Sequence, residues 1–308
     1  MHTPKIRILS LDGGGAKGFY TLGILQELEK LAGARLHTRF DLIYGTSTGS
    51  IIAALLALGE SVDEIYKLYS KHVPTIMKPF TPRGKTDALR EVATKVFKRR
   101  KFDKFKTNVG IVATNYDRET PMIFKTDVGQ AHKSEHSFEA GFGCTIADAV
   151  QASCSAYPFF KAHTVTTHKK QVIPVIDGGY CANNPTLYAI ADALNALKVE
   201  PEKLRVVSLG VGLYPPPKRT AKDIAWWMNK YPGAGFFQKT LEINTQSMEQ
   251  LRDILYAHIA TVRISETFNK PEMATDLLER DPVKLGLLHT KGIESFRKHE
   301  AKLKEFFS

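Results

Sequence analysis

Between residues 5 and 212 the chain alternates short apolar, β-branched runs with longer segments whose apolar positions recur at helical spacing. The runs predict strands over Lys5–Leu11, Phe40–Tyr44, Thr107–Ala113, Val172–Ile176 and Leu204–Leu209. The periodic segments predict helices over Phe19–Leu31, Thr48–Ala57, Val62–Lys71, Thr86–Phe97, Ile146–Ser153, Thr186–Leu197 and, later, Phe236–Ala260. Ser61 and Glu64 supply the S-x-x-E of a capping box for one of these helices. Such alternation is the pattern of an α/β fold with a mostly parallel sheet. The triple proline Pro215–Pro217 breaks it, and the remainder reads as mainly helical. No long flexible linker precedes that break. Residues 213–308 are therefore expected as a helical C-terminal extension packed on a core of residues 6–212, within one structural unit.

An apolar fraction of 43%, with 10% aromatics, is enough for a substantial core. No apolar run reaches the length of about 18 residues that a bilayer-spanning helix needs. The opening "MHTPKIRILS" is too short and polar to be a signal peptide. Cys144, Cys154 and Cys181 lack metal-ligand spacing and make no disulfide framework, so a reducing cytoplasm is expected. The net charge of +11 predicts attraction to polyanions. Its densest stretch is "KRRKFDKFK", Lys98 to Lys106. Phe among basic side chains suits an anionic lipid face, whereas a solvated helix end with cations on the dipole explains the run without any partner.

The stretch "LDGGGAKGF" carries G-x-G-x-x-G at Gly13, Gly15 and Gly18, between a strand and a helix. A P-loop would need Lys followed by Ser or Thr; here Lys17 precedes Gly18 and Phe19 follows. A dinucleotide fold wants an acidic residue ending the second strand, and Asp41 stands at the wrong end. That second strand runs instead into Gly45-Thr46-Ser47-Thr48-Gly49, a G-x-S-x-G followed by a small-residue helix. By composition such a pentapeptide arises on the order of 0.1 times in a chain this long. The strand–turn–helix context makes it the signature of a nucleophile elbow, with Ser47 raised above the sheet. An attacking serine creates a tetrahedral oxyanion, and the bare amides of Gly13, Gly14 and Gly15 suit it as an oxyanion hole.

The base is harder to assign. Of the histidines following the best Asp candidate, His258, His289 and His299 lie in helical surroundings without a characteristic loop. The candidate is Asp177 in "VIPVIDGGYCANNP", where Gly178 and Gly179 let the chain turn away from a strand end. An ordinary Asp, near 3.9, is a weak base for a hydroxyl. Burial and a short hydrogen bond to Ser47 are expected to raise its basicity. An Asx-turn at a strand end explains the same residue without chemistry.

In this order and on these elements, "LSLDGGGAKG", "GTSTG" and "DGG" resemble the patatin-like phospholipase family. "AVQASCSAYPFF" and "VVSLGVG" extend the likeness from about Ile6 to Gly212. The resemblance implies a three-layer α/β sandwich, a Ser47–Asp177 dyad in place of a triad, and the glycine loop as oxyanion hole. It implies Lys17 as a residue fixing the loop, with Gly18, Gly45, Gly49, Gly178 and Gly179 supporting the motifs. It further implies an acyl-enzyme route, no metal or organic cofactor, and a phospholipid membrane surface as the partner. A cytoplasmic protein, peripheral at the inner membrane face when active, follows from that.

Phe159-Phe160, Trp226-Trp227 and Phe236-Phe237 are aromatic pairs that fit either a membrane rim or the core. The segment from Gly212 to Phe237 has the prolines, glycines and aromatics of a lid. Basic patatin-like chains of this length also resemble effectors of bacterial anti-phage systems, which implies a cyclic dinucleotide activator. A nucleic-acid polymer is not expected as a partner, and a homo-oligomer is compatible with the sequence. Two other readings are a general esterase or lysophospholipase on soluble esters, and a nucleotide-binding module built on Gly13–Gly18.

Overall fold

The computed structural model describes residues 5–217 and 234–307. Alternation along the strands decides the layering. In β1 (Ile6–Leu11), Leu9 and Leu11 face one core while Ile8 faces another. In β2 (Leu42–Thr46), Ile43 joins the first core, and Leu42 with Tyr44 the second. A sheet with both faces apolar must be covered twice, which gives a three-layer α/β sandwich.

The first face is covered by α1 (Gly18–Ala32), α2 (Thr48–Ala57), α3 (Val62–Met77) and α4 (Pro82–Phe97). Beyond β3 (Asn108–Asn115) and β4 (Thr120–Lys125), α5 (Ile146–Ser153) joins the same side. Next come β5 (His163–Thr166), β6 (Val172–Asp177) and the short α6 (Gly179–Ala182). The second face is covered by α6 and α7 (Thr186–Ala191), which widens into a π-turn over Asp192–Ala196. The chain continues through β7 (Leu204–Leu209), α8 (Ala234–Leu255), β8 (Ala260–Ile264) and α9 (Pro282–Phe307).

The sheet order is β5-β6-β3-β2-β1-β7-β8, with β4 also on β3. From β3 to β8 every pairing is parallel, while β4, β5 and β6 pair antiparallel. Three strands, β4, β5 and β8, were not expected from the sequence. The helix expected to run to Ala260 stops at Leu255, because "ATVRI", with β-branched Thr261, Val262 and Ile264, extends the sheet beside β7. The Ser61–Glu64 capping box is present, and its helix runs on to Met77.

α9 lies along α1 at backbone contact. A Cβ at Gly292 would stand 2.0 Å from the Tyr20 carbonyl oxygen, and one at Gly23 2.1 Å from that of His289. In the basic run Lys98–Lys106 every cation but the half-buried Arg100 is exposed, whereas Phe102 is buried and stacks edge-on with Phe105 at 5.2 Å. Phe102 belongs to the core, so the lipid-facing reading fails for that residue, while Phe105 is half-buried against the same core. No helix among the described residues is long and apolar enough to cross a membrane.

Candidate active site

Three strand ends converge above the sheet: β1 into the glycine loop, β2 into Ser47 and β6 into Asp177. Register brings the last two together. β2 pairs with β3 as far as Thr46 opposite Val112, and β6 arrives antiparallel on the same edge, with Asp177 opposite Ala113. β4 holds the other edge along Gly110–Asn115. The C-terminal ends of β2 and β6 therefore abut along one edge of β3. Close abutment requires a missing side chain: a Cβ at Gly178 would lie 2.1 Å from the Val112 carbonyl oxygen.

Ser47 adopts φ 51 and ψ −124, a conformation costing a non-glycine residue about 1–3 kcal/mol. Neighbours hold it there. Its amide donates to Ser153 Oγ at 2.8 Å, and its carbonyl accepts from the Ser50 amide at 2.8 Å. The flanking glycines are sterically required, since a Cβ at Gly45 would stand 2.4 Å from the Gly49 carbonyl and one at Gly49 2.3 Å from that of Leu11. Ser47 Oγ donates to Asp177 Oδ2 at 2.7 Å. Asp177 Oδ1 accepts from the Gly179 amide at 2.7 Å, and the Asp177 amide donates to the Ser155 carbonyl.

Asp177 is 1% exposed, and burial pushes its carboxyl up to about 7. The Gly179 and Ser47 hydrogen bonds act in the opposite direction, because both favour the anion. Burial alone thus raises the basicity; the expectation that the Ser47 bond contributes is corrected.

The glycine loop divides its work. Gly13 donates its amide to the Asn183 carbonyl at 2.9 Å and is not a free donor, which removes it from the expected oxyanion set. The amides of Gly14 and Gly15 meet no acceptor among the described residues, and both residues line the cavity at Ser47. Gly18 opens α1 against Thr48, where a Cβ would stand 2.2 Å from the Thr48 methyl. Lys17 is 5% exposed with Nζ 3.6 Å from Glu242 of α8; burial lowers its pKa, and the Glu242 and Asp276 charges partly counter this.

Several supporting residues gave no local signal in the sequence. Arg263 of β8 forks onto Asp12 at 2.9 and 2.5 Å and fixes the start of the glycine loop. Burial raises the Asp12 pKa more than Arg263 lowers it. Ser153, at the end of α5, ties Ser47 to the Val112 carbonyl. Asn183 holds Gly13 and Thr245 through Nδ2, and its Oδ1 is buried without a partner among the described residues at the edge of the site.

The cavity at Ser47 is narrow, about 60 Å³, and apolar. A second apolar cavity of about 40 Å³ continues it between α3 and α4; Ile51, Tyr69, Val73, Ile76 and Leu89 wall both. Phe160 lines the first, and Phe237 with Leu241 of α8 cover it from above. Phe159 is fully buried and Phe236 is exposed, so the aromatic pairs split between core and surface. Trp226-Trp227 and most of the expected lid lie outside the described residues. Among the described residues no histidine lines the cavity at Ser47. His258 is exposed, His289 packs on Tyr66 and His299 bonds the Ser295 carbonyl.

A model of the family described as "Patatin-like phospholipase" matches residues 9–190. A cUMP-AMP-activated phospholipase of Escherichia coli is 54% identical over 305 residues, spanning 97% of this chain and 93% of its own length. A cGAMP-activated phospholipase of Pseudomonas aeruginosa is 27% identical over 302 residues, spanning 93% of this chain and 86% of its own. Among solved structures, VipD from Legionella pneumophila aligns with a TM-score of 0.54 at 11% identity, over 98% of this chain and 67% of that one. That likeness concerns the fold alone.

Proposed function

The chain belongs to the patatin-like phospholipase family of ester hydrolases, and from that premise we propose that it cleaves fatty-acyl esters of membrane phospholipids through a Ser47–Asp177 dyad. Asp177 accepts the Ser47 proton as Oγ attacks the acyl carbonyl. The amides of Gly14 and Gly15 receive the tetrahedral oxyanion, beside the N-terminus of α2. Collapse returns the proton from Asp177 to the departing lysophospholipid alkoxide and leaves an acyl ester on Ser47. Water then attacks that ester while Asp177 accepts its proton; the acyl carbon–Oγ bond breaks, Asp177 returns the proton to Ser47 Oγ, and the fatty acid is released. No step needs a metal or an organic cofactor.

The observation carrying this reading is the 2.7 Å bond from Ser47 to a carboxylate that burial has made basic. The apolar cavities running from Ser47 favour an acyl chain over a small soluble ester. The outward side chains of α8, with Phe236 and Ile243 exposed, suit contact with a membrane surface near the site. By analogy with the relatives' printed activities, a cyclic dinucleotide switches the enzyme on, as the anti-phage resemblance also implies.

Ser47→Ala and Asp177→Asn are each expected to lower fatty-acid release from phospholipid vesicles at least about a thousandfold. Retention of more than a few per cent of activity by either variant would remove the dyad. A rate on monomeric butyrate esters that exceeds the rate on vesicles, with activator present, would favour the general esterase reading.

A further inference from the structure

A larger cavity, about 440 Å³, opens away from Ser47 among β4, the loop from Gln130 to Phe142 and the β5–β6 turn over Thr167–Gln171. Its volume falls in the range of small-ligand sites, about 300–1,000 Å³. Its floor is built from a buried charge network. Asp192, 2% exposed, accepts from Lys125 Nζ at 2.6 Å and Gln130 Nε2 at 3.1 Å, and His132 Nε2 lies 2.5 Å from it. The Tyr44 hydroxyl donates to the same carboxylate. That network spends the Lys125 charge on Asp192. The rim keeps a charge of its own in Lys169, exposed with the His168 imidazole on the β5–β6 turn, while Ser134 and Ser137 bring hydroxyls from the opposite loop. Phe138 and Phe142 present half-buried rings, and Glu139 is the one carboxylate among the described lining residues.

An exposed lysine, an imidazole, hydroxyls and two aromatic rings in one hollow fit a ligand that carries both phosphate charge and flat bases. A lone carboxylate suits an exocyclic base amine. On the reading above that a cyclic dinucleotide activates the enzyme, we propose that this cavity is where it binds.

The walls lead straight to the dyad. Phe142, held at φ 54, ends the first wall; Cys144 and Thr145 follow, and Thr145 caps α5. α5 ends at Ser153, whose hydroxyl holds the Ser47 amide. The second wall, Thr167–Gln171, feeds directly into β6, which ends at Asp177. The His168 amide already bonds the Phe142 carbonyl at 2.8 Å and ties the walls together. A ligand bridging them therefore acts on the origins of both elements that hold the reacting pair. This is the two-site, shared-element arrangement that allosteric coupling requires.

Lys169→Glu and Ser137→Trp test the assignment, because both positions are exposed and neither touches the dyad. The full chain is titrated with cUMP-AMP and with cGAMP, by calorimetry and by vesicle hydrolysis. The expected result is binding at least tenfold weaker in each variant and an equal shift of half-maximal activation, with basal butyrate-ester hydrolysis within twofold of the parent. Parent and variants that bind and respond alike would overturn the site while leaving nucleotide activation intact. A parent that neither binds nor responds to either nucleotide would overturn the activation reading and the site with it.

Discussion

Ser153 stands where Ser47 would otherwise meet strand β3: its hydroxyl accepts the Ser47 amide at 2.8 Å and donates to the Val112 carbonyl at 2.5 Å. β2 leaves the ladder at Thr46 to make the elbow, so its next amide loses its strand partner. The serine hydroxyl, both donor and acceptor, replaces the missing bond at one residue's remove. It keeps Ser47 in its strained backbone conformation while β6 closes in from the other direction.

Ser153→Ala should therefore orphan a buried amide, costing about 1–3 kcal/mol of stability. It should also lower kcat about tenfold with little change in KM, since the nucleophile's position is loosened and the acyl cavity is untouched. Urea unfolding and short-chain ester kinetics check both. A variant with unchanged kcat would mean that Ser153 merely packs.

The Asp177 carboxyl is held up to about 7 by burial, and only its anion can take the Ser47 proton. kcat/KM on a soluble ester should climb about tenfold per pH unit below that value and level off above it. A flat profile from pH 5 to pH 9 would exclude Asp177 as the base. The same shift has a stability signature. The folded protein keeps a proton that the unfolded chain releases near 3.9, so stability present at low pH is lost as pH rises towards 7. Across that window the loss is about 4 kcal/mol. Asp177→Asn carries no such charge and should be the more stable protein at pH 8, with the advantage vanishing towards pH 4. Urea unfolding of both proteins at the two pH values reads the difference directly.

What the sequence revealed was what local sterics dictate. Gly45, Ser47 and Gly49 are legible because the elbow is a five-residue problem, and Asp177-Gly178 because a strand end must turn sharply. Residues whose role depends on distant register were not. Ser153 and Arg263 look like any polar residue until β3 and β8 are placed beside them. Gly13 has the composition of an oxyanion donor, yet Asn183, 170 positions away, takes its amide. Phe102 and Phe105 illustrate the converse, since cations on either side in sequence say nothing of which way the rings turn.

Gly23 and Gly292 let α1 and α9 meet at backbone distance, with carbonyl oxygens where a side chain would begin. Neither glycine belongs to the motif elements at the site. Gly292→Val should force the helices apart and lower stability by about 1–3 kcal/mol, the usual cost of overpacking. Because Gly292 itself stands on α9 and lines no part of the cavity at Ser47, thermal denaturation should shift while kcat on a soluble ester at 20 °C stays within about twofold. An unchanged Tm would show that the C-terminal helix docks loosely.

Leu89 walls both the cavity at Ser47 and the one beyond it, at their junction between α3 and α4. If the acyl chain runs through both, blocking the junction discriminates by length. Leu89→Trp leaves the space beside Ser47 that a butyryl group needs and fills the passage a longer chain must thread. Rates on dodecanoyl esters should then fall at least about tenfold relative to butyrate esters, as each excluded methylene forfeits about 0.8 kcal/mol of burial. Butyrate hydrolysis doubles as the control for folding, since an overpacked core would depress both substrates together. Equal rates on the two chain lengths, with butyrate activity intact, would mean that the acyl chain leaves the site in another direction.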